Sequence, residues 1–294
     1  MTSPDPHRLQ HYLDKLKDPH AILLLLTLVV MLIGISPAAK NLRQFFTEDS
    51  LFAENSAFIN KAEEDVTLGF VKLAALEGIF DTISTARVGV EFFVDANIVI
   101  GKQIGILRQL AEKGLYYSGI AAMGVALLKV MTYIAHSATP YLFYLTLLFT
   151  LSYAVISLLG FHEAKRKVFI GLRLMLGFFV FAHLVIPYTV HATAFASVPL
   201  TDSQSKPAVK LFSRIHGDLS AQYKGKGSQD QAKSLINNVE SLSARLEQNV
   251  RTLFVSVTRY LIAEVVATIV IPFGLMALLA LLTRSLFLRY IVHP

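Results

Sequence analysis

Four long apolar runs constrain this chain more than any other feature of its sequence. They extend over residues 21–39, 141–160, 168–190 and 261–282. Each holds about the 20 residues that an α-helix needs to cross the ~30 Å hydrocarbon core of a bilayer. Within that core, only helices and closed barrels satisfy their own backbone polar groups. The sequence therefore predicts an all-α, polytopic integral membrane protein with four or five transmembrane helices and long amphipathic helices outside the membrane.

Composition agrees with this class and excludes several kinds of site. The chain is 54% hydrophobic and only 16% charged, which is typical of membrane proteins. It contains no cysteine, so disulfides and thiolate metal centres are impossible. The net charge of +6 comes from basic residues interleaved with acids, not from a basic stripe that follows phosphates. Membrane lipid is thus an expected partner, and nucleic acid is not.

The amino-terminal part of the chain predicts an anchor followed by an amphipathic region. A polar tail, residues 1–20, precedes the first run at 21–39, which resembles a secretory signal but is longer and contains Pro37. We therefore expect it to be retained as a transmembrane helix. In residues 40–116, apolar side chains recur every three or four positions, which predicts two amphipathic helices that share a core.

Residues 117–160 have two interpretations. Small residues such as Gly119 and Gly124 open an apolar stretch that only Lys129 interrupts, and a short connection at residues 136–140 follows it. If the stretch crosses the membrane, residues 117–160 form a transmembrane hairpin and the protein has five crossings. If it does not, there is a single crossing here and four in total. Residues 40–140 are then a second large external domain.

The carboxyl-terminal part of the chain predicts an external helical domain, residues 191–257, which continues into a transmembrane helix, 258–283, and a tail, 284–294. Pro199 and Pro207 indicate turns in this domain. Apolar residues then follow near-heptad spacing, which predicts a helix with a packing seam. This interaction seam comprises Leu235, Val239, Leu242, Leu246, Val250 and Leu253. We expect it to pack on the helices of residues 40–116; the alternative is pairing with further copies of the chain.

Basic residues predict the orientation. Residues 161–167 form a short connection that ends in Lys165, Arg166 and Lys167, and Arg284 follows the last apolar run. Short basic segments remain in the cytoplasm, so we expect the carboxyl terminus to be cytoplasmic and residues 191–257 to be external. The absence of cysteine favours a bacterial inner (plasma) membrane.

Three ionisable residues interrupt the apolar runs and are the candidate site: Lys129, His183 and Glu264. In the five-helix arrangement each lies about 10 Å below the outer surface, at 1.5 Å per residue, so the three can meet. Charged groups inside a membrane are costly and usually paired. The cluster is therefore either a structural clamp between helices or a transport site.

No other pattern indicates chemistry. The chain lacks hydrolase, P-loop and dinucleotide-binding motifs, and its histidines lack the paired spacing of a metal site. We therefore expect no catalytic residues, no metal and no cofactor. The sequence favours a non-enzymatic, oligomeric assembly or scaffold component whose external helices contact another copy or another protein. The alternative is a channel or transporter subunit.

Overall fold

The computed structural model describes residues 19–35, 49–86, 94–223 and 239–291. Side chains are described at residue 19 and over 21–30, 51–81, 105–217 and 251–285. Nearly all of the described residues are helical and none of them is in a strand, so the predicted all-α class is confirmed for this part of the chain. Most of the predicted tail 1–20 lies outside the described residues, and so do Leu235 and residues 292–294.

Eight α-helices and three π-helical turns make up the described chain. The helices are α1 (Pro19–Ile35), α2 (Asp49–Ala86), α3 (Val94–Leu158), α4 (His162–Val180), α5 (Ile186–Leu200), α6 (Lys206–Tyr223), α7 (Val239–Val265) and α8 (Ile271–Ile291). The π-turns are Phe181–Val185, Thr201–Ser205 and Val266–Val270. Each π-turn joins its two flanking α-helices without a break, so that His162 to Tyr223 and Val239 to Ile291 are continuous helices.

Three helical segments are long and apolar enough to cross a membrane. Among the residues described, they are Gly105–Leu158, His162–Gly217 and Arg251–Ser285. The apolar part of α1, Ala21–Val30, is shorter than a crossing, so a crossing by residues 21–39 remains a prediction. These three helices support a membrane protein. Helix length alone does not determine how many times the chain crosses the membrane.

Residues 117–160 do not form a hairpin. Residues 117–158 belong to α3, a single helix of 65 residues that continues through Pro140. Proline removes one backbone hydrogen bond inside a helix, and neighbouring groups help such a segment to remain helical in an apolar setting. The amide bond absent at Pro140 is the one to the His136 carbonyl, and the Thr139 hydroxyl donates to the carbonyl before it, that of Ala135, over 2.7 Å.

The turn between α3 and α4 is shorter than the predicted segment 161–167. Gly160 has φ +76°, the left-handed conformation that glycine adopts at little cost. The Gly160 and Phe161 amides donate to the carbonyls of Ser157 and Ile156, each over 3.3 Å. This is the Schellman pattern that ends helices. The basic residues 165–167 therefore lie in the first turns of α4 instead of in a loop.

Each π-turn ends two residues before a proline. Pro187, Pro207 and Pro272 follow the three π-turns in order, and each turn closes with an amide bonded five residues back, for example Lys206 to Thr201. The wider turn fits a proline, which cannot donate to position i−4 and crowds that carbonyl. Pro199 and Pro207 therefore lie inside a continuous helix, and the turns expected at these positions are absent.

The chain divides into two compact units. The first comprises Met1–Ser56, Val130–Thr189 and Leu279–Pro294, and the second comprises Ala57–Lys129 and Val190–Leu278. The second unit contains an apolar core made by helices α2, α3, α6 and α7. Its buried members are Leu73, Leu76, Phe80, Leu107, Ala111, Ala208, Phe212, Leu253, Val257 and Tyr260.

This core contains Leu253, the last residue of the predicted seam. Leu253 is 3% exposed and packs in the core together with residues of α2 and α3. Burying a leucine in this way stabilises a fold by about 1.5 to 3 kcal/mol. Intramolecular packing is therefore what the structure shows at Leu253. The side chains of Val239, Leu242, Leu246 and Val250 lie outside the described ones, although their backbone belongs to α7.

Candidate functional site

The second unit contains a small cavity between α2, α3, α5 and α7. Its volume is about 50 Å³, enough for a few water-sized groups. Apolar side chains form most of the wall, and six polar or charged side chains are interspersed among them. These are Lys61, Asp65, Ser197, Thr201, Glu264 and Thr268.

Glu264 is the most deeply buried ionisable group in this wall. It is 2% exposed and lies in the last turn of α7, two residues before the Val266–Val270 turn begins. Its Oε1 atom has no hydrogen-bond partner in the structure. The Ser205 hydroxyl lies near the carboxylate, but the two groups do not meet the geometry of a hydrogen bond, and Ser205 Oγ likewise has no hydrogen-bond partner. A buried carboxylate without a full set of partners is costly to a fold, so this side chain calls for a functional explanation.

Charged side chains line the cavity on the side of α2. Asp65 projects from α2 and interacts electrostatically with Lys61 one turn earlier and with Lys206 of α6. Lys206 itself pairs with Asp202 over 2.5 Å, with both side chains about half-exposed. Partial burial raises the pKa of Asp65 above its ordinary value of 3.8, against the opposing effect of the two lysines. The cavity thus joins a buried acid to a partly solvated charge network.

Close helix packing fixes the floor of this region. A Cβ atom on Gly69 would lie 1.8 Å from the Tyr260 hydroxyl oxygen, and one on Gly124 would lie 3.0 Å from the Thr268 carbonyl. Neither position therefore accepts a side chain without movement of its neighbour. Tyr260 is fully buried, one helical turn before Glu264. The two glycines let α2 and α3 approach the helix that carries the buried acid.

Two of the three π-turns contribute to the cavity wall. Thr201 opens the Thr201–Ser205 turn, and Ala267 and Thr268 belong to the Val266–Val270 turn. A π-turn widens the helix locally and displaces carbonyl groups from the regular α-helical ladder, which is why such turns are frequent at functional sites. Here the prolines at 207 and 272 give the sequence reason for both.

The structure places the three sequence-predicted residues in different surroundings. Lys129 donates to the Glu63 carboxylate over 2.6 Å, and both side chains are 49% exposed. Glu264 lines the cavity described above. His183 belongs to the first unit, where its ring stacks on Phe179 with centroids 5.3 Å apart. Lys129 therefore has an acidic partner on α2, and a cluster of all three residues remains a prediction.

Sequence reasoning missed the residues that accompany Glu264. Asp65 and Lys61 lie on an amphipathic helix rich in charges, where nothing in the pattern distinguishes them from ordinary surface residues. Thr201 gives an equally weak signal. The only available signal was the spacing of Pro207 and Pro272, because each of these prolines follows a π-turn. Among the described residues, no group of three or more His, Cys, Asp or Glu side chains is arranged to hold a metal ion.

Comparison with known proteins identified no relative of this chain. No family model, curated protein sequence or solved structure matches the chain.

Proposed function

We propose that this chain is a non-enzymatic, multi-pass membrane protein that serves as an assembly or scaffold component through a helical bundle outside the bilayer. The observation that carries the proposal is the length of its apolar helices. The first two candidate spans have 54 and 56 residues, or about 80 Å at 1.5 Å per residue, against a hydrocarbon core of ~30 Å. More than half of each helix is therefore available for contacts outside the membrane.

The distribution of charge supports a particular division of these helices. Residues 130–158, 174–200 and 265–283 contain no Asp, Glu, Lys or Arg. Lys129, Asp202 and Glu264 lie just beyond one end of these stretches, and Glu163, Arg173 and Arg284 lie just beyond the other. Ionised residues in the bilayer cost about 2.5 to 3.5 kcal/mol each on insertion scales, so these three uncharged stretches are the favoured crossings.

The Lys129 ion pair supports four crossings over five. Its partner Glu63 lies on α2, next to Lys61, Glu64 and Asp65. A helix with so many charges is expensive to place in hydrocarbon. Lys129 is then outside the bilayer, and α3 crosses once. With residues 21–39 as the fourth crossing, the amino and carboxyl termini are both cytoplasmic, and residues 40–129 and 201–264 are external.

The basic residues agree with this orientation. Lys165, Arg166 and Lys167 at the start of α4, with Arg284 after the last uncharged stretch, are on the cytoplasmic side by the positive-inside rule. The location that fits is a bacterial inner (plasma) membrane. The partners that fit are membrane lipid and either a second copy of the chain or another protein with a membrane or external domain.

Exposed apolar residues on α2 support a partner surface. Leu68 is 46% and Val71 is 53% exposed, and their separation by three positions places them on one face of the helix. In this proposal they lie outside the bilayer, where neighbouring apolar side chains without cover often mark protein contacts. The two middle members of the seam, Leu242 and Leu246, form the second candidate surface.

The test compares two parts of the seam in the full-length protein. We expect Leu242→Glu combined with Leu246→Glu to dissociate the assembly on a native gel while each chain remains folded. Leu253→Glu should instead unfold the chain, because Leu253 is in the core. Unchanged complexes for the double variant and for Leu68→Glu with Val71→Glu would overturn the proposal.

Transport is the second candidate function, and the observation that favours it is the buried Glu264 carboxylate, which lies just beyond the outer end of the last uncharged stretch. A channel would require several copies around a shared axis, because few helices from one chain are available to line a path. Glu264→Gln should abolish flux in proteoliposomes while assembly persists, if the chain has this function. Loss of folding in that variant would instead indicate a structural clamp.

A further inference from the structure

We propose that the cavity beside Glu264 is a binding site for one small monovalent cation of the size of Na⁺ or K⁺. The Glu264 carboxylate is the main ligand, and oxygens of Asp65, Thr201 and Thr268 complete the site. The proposal does not depend on the scaffold function, because it rests only on the packing inside the second unit.

The state of Glu264 is the first argument. Its side chain is 2% exposed, lines the cavity, and leaves Oε1 without a hydrogen-bond partner. Leaving a buried ionised carboxylate unpaired costs far more than losing one neutral hydrogen bond. A cation in the adjoining space provides the missing partner.

The charge balance determines the valence of that cation. Two carboxylates, Asp65 and Glu264, and one ammonium group, Lys61, line the cavity. When both carboxylates are ionised, one negative charge is left over. Lys206 does not remove it, because its ammonium already pairs with Asp202 over 2.5 Å. A single positive charge neutralises the site, whereas a divalent ion would leave it positive and prefers six or more oxygen ligands.

The hydroxyl groups of the wall are suited to a cation. Thr268 Oγ1 donates its proton to the Glu264 carbonyl over 2.6 Å, and Thr201 Oγ1 donates to the Ser197 carbonyl over 3.2 Å. A hydroxyl that has given its proton to a carbonyl retains lone pairs that can only accept or coordinate. Both groups therefore present oxygen lone pairs to the cavity. These lone pairs attract a cation, and they repel an anion or a neutral hydrogen-bond acceptor.

The dimensions of the cavity also fit. About 50 Å³ accommodates a partly dehydrated monovalent ion with one water molecule, since one water takes up ~30 Å³ in the liquid. The Asp65 side chain is only partly buried, which leaves a hydrophilic entrance on the side of α2. Larger organic cations such as N-methylglucamine do not fit.

The experiment measures thermal unfolding of the full-length protein in detergent at constant ionic strength. Na⁺ or K⁺ replaces N-methylglucamine stepwise. We expect a saturable rise of the unfolding midpoint, reaching roughly 5 °C or more at a concentration one hundred times Kd, as binding to the folded state requires. Glu264→Gln should abolish the rise, and Asp65→Asn should increase the concentration that gives half of it by at least about tenfold, the effect of losing one charge-assisted contact.

Glu63→Gln is the matched control, because Glu63 is an acid on the same helix as Asp65 that pairs with Lys129 and does not line the cavity. It should retain the full rise. If Glu264→Gln fails to fold, Asp65→Asn still tests the site. Equal midpoints in all three cations, or the same rise in wild type and in the two cavity variants, would overturn the proposal and indicate that Glu264 retains its own proton.

Discussion

Gly69 shows how much of this packing depends on a single missing side chain. Its Cα faces the Tyr260 ring, and a Cβ atom would lie 1.8 Å from the hydroxyl oxygen and 2.4 Å from the ring carbon that bears it. Tyr260 is fully buried beside Phe212, with ring centroids 5.7 Å apart. The ring therefore has little room to move.

Gly69→Ala should destabilise the protein by about 1 to 3 kcal/mol through overpacking. Gly78→Ala on the same helix is the control, because a Cβ atom there meets nothing within 4 Å and alanine is the better helix former. Unfolding midpoints in detergent measure both. Equal stability of the two variants would contradict the close approach of α2 to Tyr260.

Asp65 gives a prediction about pH. Burial raises its pKa in the folded state, so its contribution to stability is fully present below the ordinary aspartate pKa and is lost as pH rises through the folded value. Asp65→Asn should therefore be more stable than wild type near neutral pH, and the difference should vanish towards pH 3. We expect this in a buffer whose only cation is N-methylglucamine.

Urea unfolding of the two proteins between pH 3 and 8 provides the measurement. Lys72→Gln, a change of charge on the same helix away from the cavity wall, is the control and should not reproduce the trend. A wild-type protein that remains more stable than Asp65→Asn at neutral pH in this buffer would show that the lysines outweigh burial.

The candidate site was only partly predictable at the residue scale. Glu264 is visible in the sequence because an acid inside an apolar run is costly and therefore conspicuous. The partner of Lys129 was not visible, since helical periodicity reports which face of α2 is apolar but not which of its acids approaches α3. Asp65 and Glu63 have the same appearance in the sequence and different surroundings in the structure.

At the scale of elements, prolines and π-turns determine how the long helices continue. The turns at Phe181–Val185, Thr201–Ser205 and Val266–Val270 each accommodate one extra residue before a proline. The prolines were evident from the sequence, and a break or kink was the natural expectation. A wider turn was not predictable from the sequence. It depends on whether the neighbouring helices leave room for one turn to widen while the helix keeps its direction.

A deletion tests this interpretation of the Thr201–Ser205 turn. Removing Ser203 together with Pro207→Ala should convert the π-turn to an α-turn and keep Phe212 in the core. Removing Lys210 together with Pro207→Ala should rotate Phe212 by about 100°, the angle per residue of an α-helix, and unfold the bundle. Yield and unfolding midpoint distinguish the two proteins. Equal damage in both would contradict the π-turn as the site of the extra residue.

The long carboxyl-terminal helix is the element that the sequence predicted best. Its near-heptad spacing indicated a long helix leading into the last apolar run, and α7 does continue through a π-turn into α8. The spacing could not indicate which partner each position packs against. Leu253 packs inside the chain, whereas the positions before it remain candidates for contacts between chains.

At the scale of the whole molecule, the class was predictable and the number of crossings was not. Apolar runs of sufficient length are visible in any sequence, which is why the membrane class and the helical fold followed from hydropathy. The small residues before Lys129 are compatible with a further crossing and with a helix outside the bilayer, because helices in membranes and helices in water both use Gly and Ala for close approach. Gly124 does make such an approach, to the Val266–Val270 turn.

Labelling of introduced cysteines tests the topology, since the natural chain has none. Single cysteines at Thr2, Ser84, Ser137, Lys165 and Ser228 would be treated with a membrane-impermeant maleimide in intact cells. We expect reaction at Ser84 and Ser228 and protection at the other three positions. That result places the helical bundle outside a membrane crossed four times. Reaction at Thr2 and Ser137 with protection at Ser84 would contradict it and would move Lys129 into the bilayer.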